Sequence, residues 1–211
     1  MSSPSRAARR GCPTRSSGTT SISTPTPTSW LGRPLATEPS LDDVVLRYLG
    51  AFGPATVADI TTWCRLTGLR EVVERLRPVL RTFRDERGRE LFDPPEAPRP
   101  DPETPAPPRF LPEYDNALLS HADRSRFVSS EHRGVFSRVQ GPIHGSVLHD
   151  GFGFGLWRLD RDRETGKATL VVSHVERAPK RALATVAAEA RRLLRFVAAD
   201  ASAHEVSFVQ I

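Results

Sequence analysis

Seven arginines within one short stretch are the side chains of this sequence whose type and spacing best suit chemistry. They are Arg70, Arg75, Arg77, Arg81, Arg84, Arg87 and Arg89. The planar guanidinium group can hold a phosphate, or the edge of a guanine, through two parallel hydrogen bonds. Arginine therefore suits double-stranded DNA as the predicted partner, and these seven residues are its predicted contacts.

Histidines near acidic residues are the second set of side chains that could carry chemistry, as metal ligands or acid–base groups. His121 lies two residues before Asp123, and His132 follows Glu131, but neither pair has a third ligand at a spacing typical of a metal site. We therefore expect surface or capping roles for both pairs. Three further histidines lie on or near predicted strands: His144, His149 and His174. Side chains alternate between the two faces of a strand, so two of these histidines could lie together on one face. A metal site therefore stays open as an alternative to the prediction of no metal and no cofactor.

The arginines belong to a predicted unit of three helices and a hairpin, residues 31–93. Apolar residues three and four apart predict helices that begin after Ser40 and after Thr56, since both hydroxyls can cap a helix. The predicted elements that follow are a turn at Thr67-Gly68, a third helix from Leu69, and strands Arg81–Arg84 and Glu90–Asp93 around Gly88. This order is typical of a winged helix, in which the third helix enters the major groove and the hairpin lies along the DNA backbone.

The charge of this unit does not by itself favour DNA. Nine arginines from Arg47 to Arg89 are balanced by nine acidic residues from Asp42 to Asp93. The formal net charge of +5 comes mostly from residues 1–40, where five arginines face one glutamate. Only local clustering of arginines could attract DNA, so a scaffold or protein-contact role is the alternative for this unit.

Three other segments complete the predicted organisation. Residues 1–30 are rich in serine, threonine and proline, and we predict a disordered tail because they cannot bury enough apolar surface to offset the loss of chain entropy. Residues 94–108 contain eight prolines and predict a stiff linker. Residues 109–211 predict a small strand-rich module closed by a C-terminal helix after Pro179, with a tight hairpin at Asp150-Gly151.

The compartment follows from what the sequence lacks. Two cysteines, Cys12 and Cys64, are too few for a disulfide framework, and no apolar run reaches the length of a membrane span. The N-terminus has no apolar segment of the secretory type. We therefore expect a soluble, cytoplasmic protein with no membrane partner, and the sequence leaves its oligomeric state open.

Five runs of this sequence resemble a known family. They are WLGRP at Trp30 to Pro34, LRYLGAFGPATVADITTWCRLTGLREVVERLRP, RTFRDERGRELFD, RFLPEYDNALLSHADRSR and HDGFGFGLWRL. Over roughly residues 30–211 the chain is similar to bacterial winged-helix DNA-binding proteins related to AlkZ-type DNA glycosylases. The resemblance implies tandem winged helices followed by a β-barrel-like part. It also implies that this chain corresponds to the last winged helix and C-terminal module of a longer protein.

The glycosylase branch of that family removes alkylated or crosslinked bases, using a Gln-x-Gln or Gln-x-Asp motif to position the attacking water. The two glutamines of this chain, Gln140 and Gln210, begin neither motif, so no catalytic residue is carried over. We therefore predict non-enzymatic DNA binding of low sequence specificity through the third helix and the wing. A truncated or incomplete DNA glycosylase is the first alternative, and a scaffold or protein-interaction winged helix is the second.

Overall fold

The computed structural model describes residues 26–35, 38–136 and 144–211. These residues form an α+β fold, as the sequence predicts. Residues 1–39 are a unit by themselves, and its described part contains a short helix, α1 (Pro27–Leu31), which Thr26 caps. Most of the tail predicted to be disordered, residues 1–25, lies outside the described residues.

Three helices and a hairpin begin the second unit, residues 40–211, in the predicted order. The Ser40 side chain accepts a hydrogen bond from Asp43 N, and Thr56 forms a reciprocal capping box with Asp59. The elements are α2 (Leu41–Phe52), α3 (Val57–Cys64), α4 (Leu69–Leu76), a 3-10 turn (Arg77–Val79), β1 (Arg81–Arg84) and β2 (Glu90–Asp93). The predicted caps therefore set where these helices begin.

The apolar stripes of the three helices meet in one core with the hairpin. Val45, Ile60 and Val73 are fully buried there, one from each helix. Phe92 of β2 completes this core, and its backbone exchanges hydrogen bonds of 3.0 and 2.8 Å with Ala55 in the loop before α3. Burial of these side chains fixes α4 beside the hairpin.

The rest of the unit is a five-stranded sheet with a long helix on it. The strands are β3 (Arg109–Leu111), β4 (Gly145–His149), β5 (Phe152–Arg161), β6 (Ala168–His174) and β7 (His204–Gln210), and the helices are α5 (Asn116–Leu119), α6 (Arg133–Phe136) and α7 (Lys180–Val197). The strand order is β3-β4-β5-β6-β7, antiparallel except for the parallel pair β6 and β7, which α7 connects. Val186, Ala190 and Leu194 of α7 pack against Val147, Leu170 and Val172 of the sheet in a second core.

The described strands β3 to β7 form one sheet with two edges, and the barrel-like module that the family resemblance implied stays a prediction. Within the described ranges β3 and β7 are the two edges, and no ladder joins them. The reason is that α7 crosses over to place β7 parallel beside β6, at the far edge from β3. The glycine-rich strand β5 does allow close packing, since a Cβ on Gly155 would lie 2.1 Å from the Ser173 carbonyl oxygen.

The proline-rich segment 94–108 lies within the second unit. Arg99 pairs with the buried carboxylate of Asp93 at the end of β2, at 2.8 Å. The boundaries at residues 31–93, 94–108 and 109–211 stay predictions. Within the described ranges, no helix has the length and apolar character needed to cross a membrane.

Candidate nucleic-acid interface

The turn between α3 and α4 depends on two residues with left-handed backbone conformations. Arg65 has φ of 59° at the end of α3, and Gly68 has φ of 74° immediately before α4. Helix α4 then buries Leu69, Val72, Val73 and Leu76, whereas Arg70, Glu71, Glu74 and Arg75 are exposed. The outer face of α4 therefore carries equal numbers of positive and negative side chains.

The hairpin loop is shaped by Asp85 and Gly88. Asp85 Oδ1 accepts hydrogen bonds from Arg87 N at 3.0 Å and from Arg89 N at 2.8 Å. Gly88 has φ of 76°, a conformation that favours glycine, as the sequence pattern predicts. Asp85 also binds the Arg89 side chain, with 2.6 Å between Oδ2 and Nε. The tip of the hairpin is thus ordered by its own carboxylate.

Arg77 joins α4 to the hairpin and uses most of its donors on two carboxylates. Its Nε and Nη2 lie 2.7 and 3.0 Å from the Glu74 oxygens, and its Nη1 and Nη2 each lie 2.8 Å from a Glu90 oxygen. These hydrogen bonds raise the pKa of Arg77 and lower the pKa of both glutamates. Four bonds from five N–H groups leave Arg77 little capacity to bind DNA.

The charges on this face alternate instead of forming a uniform patch. The charge of Arg70 contributes to lowering the pKa of Glu74, and that of Arg84 contributes similarly at Glu90. Arg75 pairs with Asp42 of α2. Positive and negative groups therefore follow one another from α4 to the hairpin.

The two arginines at the tip of the hairpin are held by a carboxylate from elsewhere in the chain. Arg87 Nη1 and Arg89 Nη2 each lie 2.9 Å from Asp123 Oδ2. Asp123 also accepts a hydrogen bond from Ser125 N. This bond, then one from the Ser125 side chain and the two arginine charges, lower the pKa of Asp123 to about 2. Asp123 is therefore ionised at neutral pH and partly neutralises the positive charge of the hairpin tip.

Arg70, Arg81 and Arg84 form a different group. All three are exposed, and among the described residues none has a carboxylate within ion-pair distance. Arg81 lies over the ring of Phe83 at 5.2 Å, and Arg84 donates to the Gly88 carbonyl at 3.3 Å. These three guanidinium groups are the most available of the seven predicted contacts.

Sequence reasoning missed a buried polar cluster beside the turn. Tyr48 is fully buried, and Asp59 and His121 are 4% and 3% exposed. The surface role predicted for His121 is wrong, because its ring packs against Tyr48 and Phe127, whose ring centroids lie 6.3 and 6.1 Å away. His121 Nδ1 lies 2.8 Å from Ser120 Oγ, and its Nε2 is buried without a hydrogen-bond partner among the described residues.

This cluster ties the helical part to the segment that contains Asp123. Asp59 Oδ1 accepts a hydrogen bond from Ala122 N at 2.8 Å. Burial acts to raise the pKa of Asp59, but bonds from the Thr56 backbone and side chain and from Ala122 lower it overall. Only the Thr56-Asp59 capping spacing could have indicated this carboxylate from the sequence.

The remaining histidines have other neighbours in the part of the chain that the structure describes. The Phe154 ring lies 5.8 Å from the rings of both His149 and His174, so these two histidines share a phenyl neighbour. His132 is half-buried, with Nδ1 2.9 Å from Ser129 Oγ. In residues 26–35, 38–136 and 144–211, no three His, Cys, Asp or Glu side chains are placed to hold a metal.

A cleft of about 390 Å³ lies in the strand-rich part, lined in part by Phe127, His132, His149, Phe154 and Arg177. Its lining comes from separate segments, so no motif could have predicted it. His149 Nε2 lies 3.2 Å from Thr185 Oγ1.

Of the two glutamines, Gln210 ends β7 and is exposed, whereas Gln140 lies outside the described residues.

Comparison with known proteins gives one family and one solved structure. The family model described as DNA glycosylase AlkZ-like matches residues 6–196. The chain is also similar to the Streptomyces sahachiroi DNA glycosylase AlkZ, with a TM-score of 0.65 and 28% sequence identity over 87% of this chain and 50% of that one. The chain thus spans about half the length of that structure. No curated protein sequence matches. The family resemblance inferred from the sequence is confirmed.

Proposed function

This chain belongs to the DNA glycosylase AlkZ-like family, and we propose that it is the DNA-binding part of a base-excision repair protein of this kind. The match over most of the chain carries this proposal. It favours the glycosylase-related alternative over a DNA-binding protein unconnected with repair. Both functions require a surface that accepts DNA.

We propose that α2 to α4 and the hairpin β1-β2 act as a winged helix. The order of elements, the tight turn before α4 and the shared core with Phe92 support this assignment. In this arrangement α4 enters the major groove and the hairpin contacts the backbone. DNA is then read through α4 and held through the wing.

Arg70, Arg81 and Arg84 are the primary DNA contacts in this proposal, because they are exposed and lack carboxylate partners among the described residues. Arg75, Arg87 and Arg89 are secondary contacts, since each must exchange a carboxylate for a phosphate. Arg77 has a structural role, as its donors are committed to Glu74 and Glu90. The alternating charges give a modest attraction to DNA and little sequence preference.

Removing a base also requires an extruded nucleotide and a positioned water. The family's glutamine motif would position that water, and Gln140 and Gln210 do not form it. We therefore propose that this chain holds DNA through its arginines and does not supply the glutamine pair that positions the water.

The test is a titration of a fluorescein-labelled 20-base-pair duplex with the full chain at rising salt, followed by anisotropy. We expect saturable binding with a dissociation constant on the order of 10⁻⁴ to 10⁻⁶ M at physiological salt, weakening as salt rises. A variant with Arg6→Ala, Arg9→Ala and Arg10→Ala distinguishes DNA binding by these N-terminal arginines from DNA binding by the rest of the chain. If this variant no longer binds DNA, residues 40–211 are a scaffold and the proposal fails.

A further inference from the structure

The exposed side of α7 carries a row of arginines. Its arginines are Arg181, Arg191, Arg192 and Arg195, and between them lie Ala184, Thr185 and Ala188. Glu189, the single acid of this helix, pairs with Arg192 at 3.0 Å. We call the line from Arg181 to Arg195 the α7 stripe.

The α7 stripe is not needed to hold the helix in place. The opposite face of α7 buries Val186, Ala190 and Leu194 against the sheet. Among the described residues, no carboxylate lies within ion-pair distance of Arg181, Arg191 or Arg195. Packing therefore accounts for the inner face of α7 and leaves the charges of its outer face unused.

The helix dipole does not explain the whole stripe either. Arg195 in the last turn interacts favourably with the negative end of the dipole. Lys180 and Arg181, in contrast, lie in the first turn, which contains no acidic residue, and a cation at that end opposes the dipole. Their presence costs helix stability, so an external partner is the better explanation of the charge.

We propose that the α7 stripe is a second contact surface for the phosphate backbone of DNA. The distance along the helix from Arg181 to Arg195 is about 21 Å, which spans roughly six base pairs of duplex. The small side chains of Ala184 and Ala188 allow a sugar-phosphate chain to approach the helix closely. This inference rests on the proposed function and adds a surface distinct from α4 and the wing.

The chemistry of α7 fits DNA better than a membrane surface. A helix that lies on a bilayer inserts its apolar face among the lipids. The apolar face of α7 is instead packed on the sheet, and Phe196 is the large apolar side chain exposed beside the stripe. Binding by the stripe would therefore be electrostatic and would involve phosphate.

The test compares salt dependence in two variants of the full chain. One carries Arg181→Ala, Arg191→Ala and Arg195→Ala, in which alanine preserves helix propensity. The matched control carries Arg47→Ala, Arg109→Ala and Arg163→Ala, which removes three exposed arginines from separate places. Circular dichroism melting establishes that both variants are folded.

The expected result is that the stripe variant binds the duplex more weakly, with a slope of log affinity against log salt shallower by about two to three units. The control should keep a slope close to that of the unmodified chain. Equal slopes in the two variants would overturn the inference while DNA binding by the chain stands. A chain that binds no duplex at all overturns both proposals. Binding of the same variants to phosphatidylserine vesicles is measured in parallel. If the stripe variant loses binding to the vesicles but not to the duplex, the stripe binds membranes and the inference is overturned.

Discussion

Tyr48 on α2 donates a hydrogen bond to the backbone carbonyl of Ser120 at 2.6 Å, across 72 residues of sequence. The bond is buried, and burial raises the pKa of the Tyr48 phenol, with the Asp59 carboxylate acting in the same direction. The segment that supplies Ser120 also supplies Asp123, which binds Arg87 and Arg89 of the hairpin. One segment therefore contacts both the helical core, through Ser120, and the arginines of the proposed DNA surface, through Asp123.

The first prediction concerns this bond. Tyr48→Phe should lower the free energy of unfolding by about 1–3 kcal/mol, because the Ser120 carbonyl would be left buried without its donor. Urea denaturation measures the change. Tyr114→Phe is the matched control, since Tyr114 is 71% exposed and should give no change. Equal stability of the two variants would show that the bond contributes nothing.

The second prediction is a pH dependence from His121. Burial, and then the charge of Arg126, lower the pKa of this imidazole. Folding therefore favours the neutral form, and its contribution is complete above the ordinary pKa of about 6.5 and is lost as pH falls through the lower folded pKa. We expect the free energy of unfolding to fall between pH 7 and pH 5, and to fall less in His121→Gln. An identical decrease in both proteins would assign the effect to other groups.

The third prediction is that Asp123→Asn strengthens DNA binding. The substitution releases Arg87 and Arg89 from their shared carboxylate, so both can reach phosphate. The slope of log affinity against log salt should become steeper by about one to two units. Asp101→Asn, in the proline-rich segment, removes the same charge at an exposed place. If both variants gain the same affinity for DNA, the change in net charge alone explains the effect and release of the arginines does not.

The fourth prediction is that this chain by itself does not form abasic sites in alkylated DNA, because it lacks the glutamine pair that would position water. Cleavage of the product strand by alkali provides the measurement. Abasic sites that persist in a Gln140→Ala, Gln210→Ala variant would show that other residues activate water here.

Local features were the predictable part of this structure. The caps at Ser40 and Thr56, the positive φ at Gly88 and the hairpin at Asp150-Gly151 each depend on a few neighbouring residues. Neighbours alone determine such geometry, so the sequence pattern was sufficient for it.

The state of the arginines was not predictable, because it depends on contacts between distant segments. Asp123 lies 36 residues after Arg87 and belongs to a segment that the sequence presents as irregular. Histidine next to acidic residues is typical of a protein surface, and His121 is buried only because its segment packs against Tyr48. The sequence therefore identified cations suited to DNA but not the carboxylates that occupy four of them.

The central claim is that the arginines without carboxylate partners at α4 and the wing hold DNA. The most direct test measures duplex affinity against salt for Arg70→Ala, Arg81→Ala, Arg84→Ala beside the folded control Arg47→Ala, Arg109→Ala, Arg163→Ala. The account predicts that the first variant loses at least about tenfold in affinity and two to three units of salt slope, whereas the control changes little. Equal affinity and slope in the two variants would contradict it.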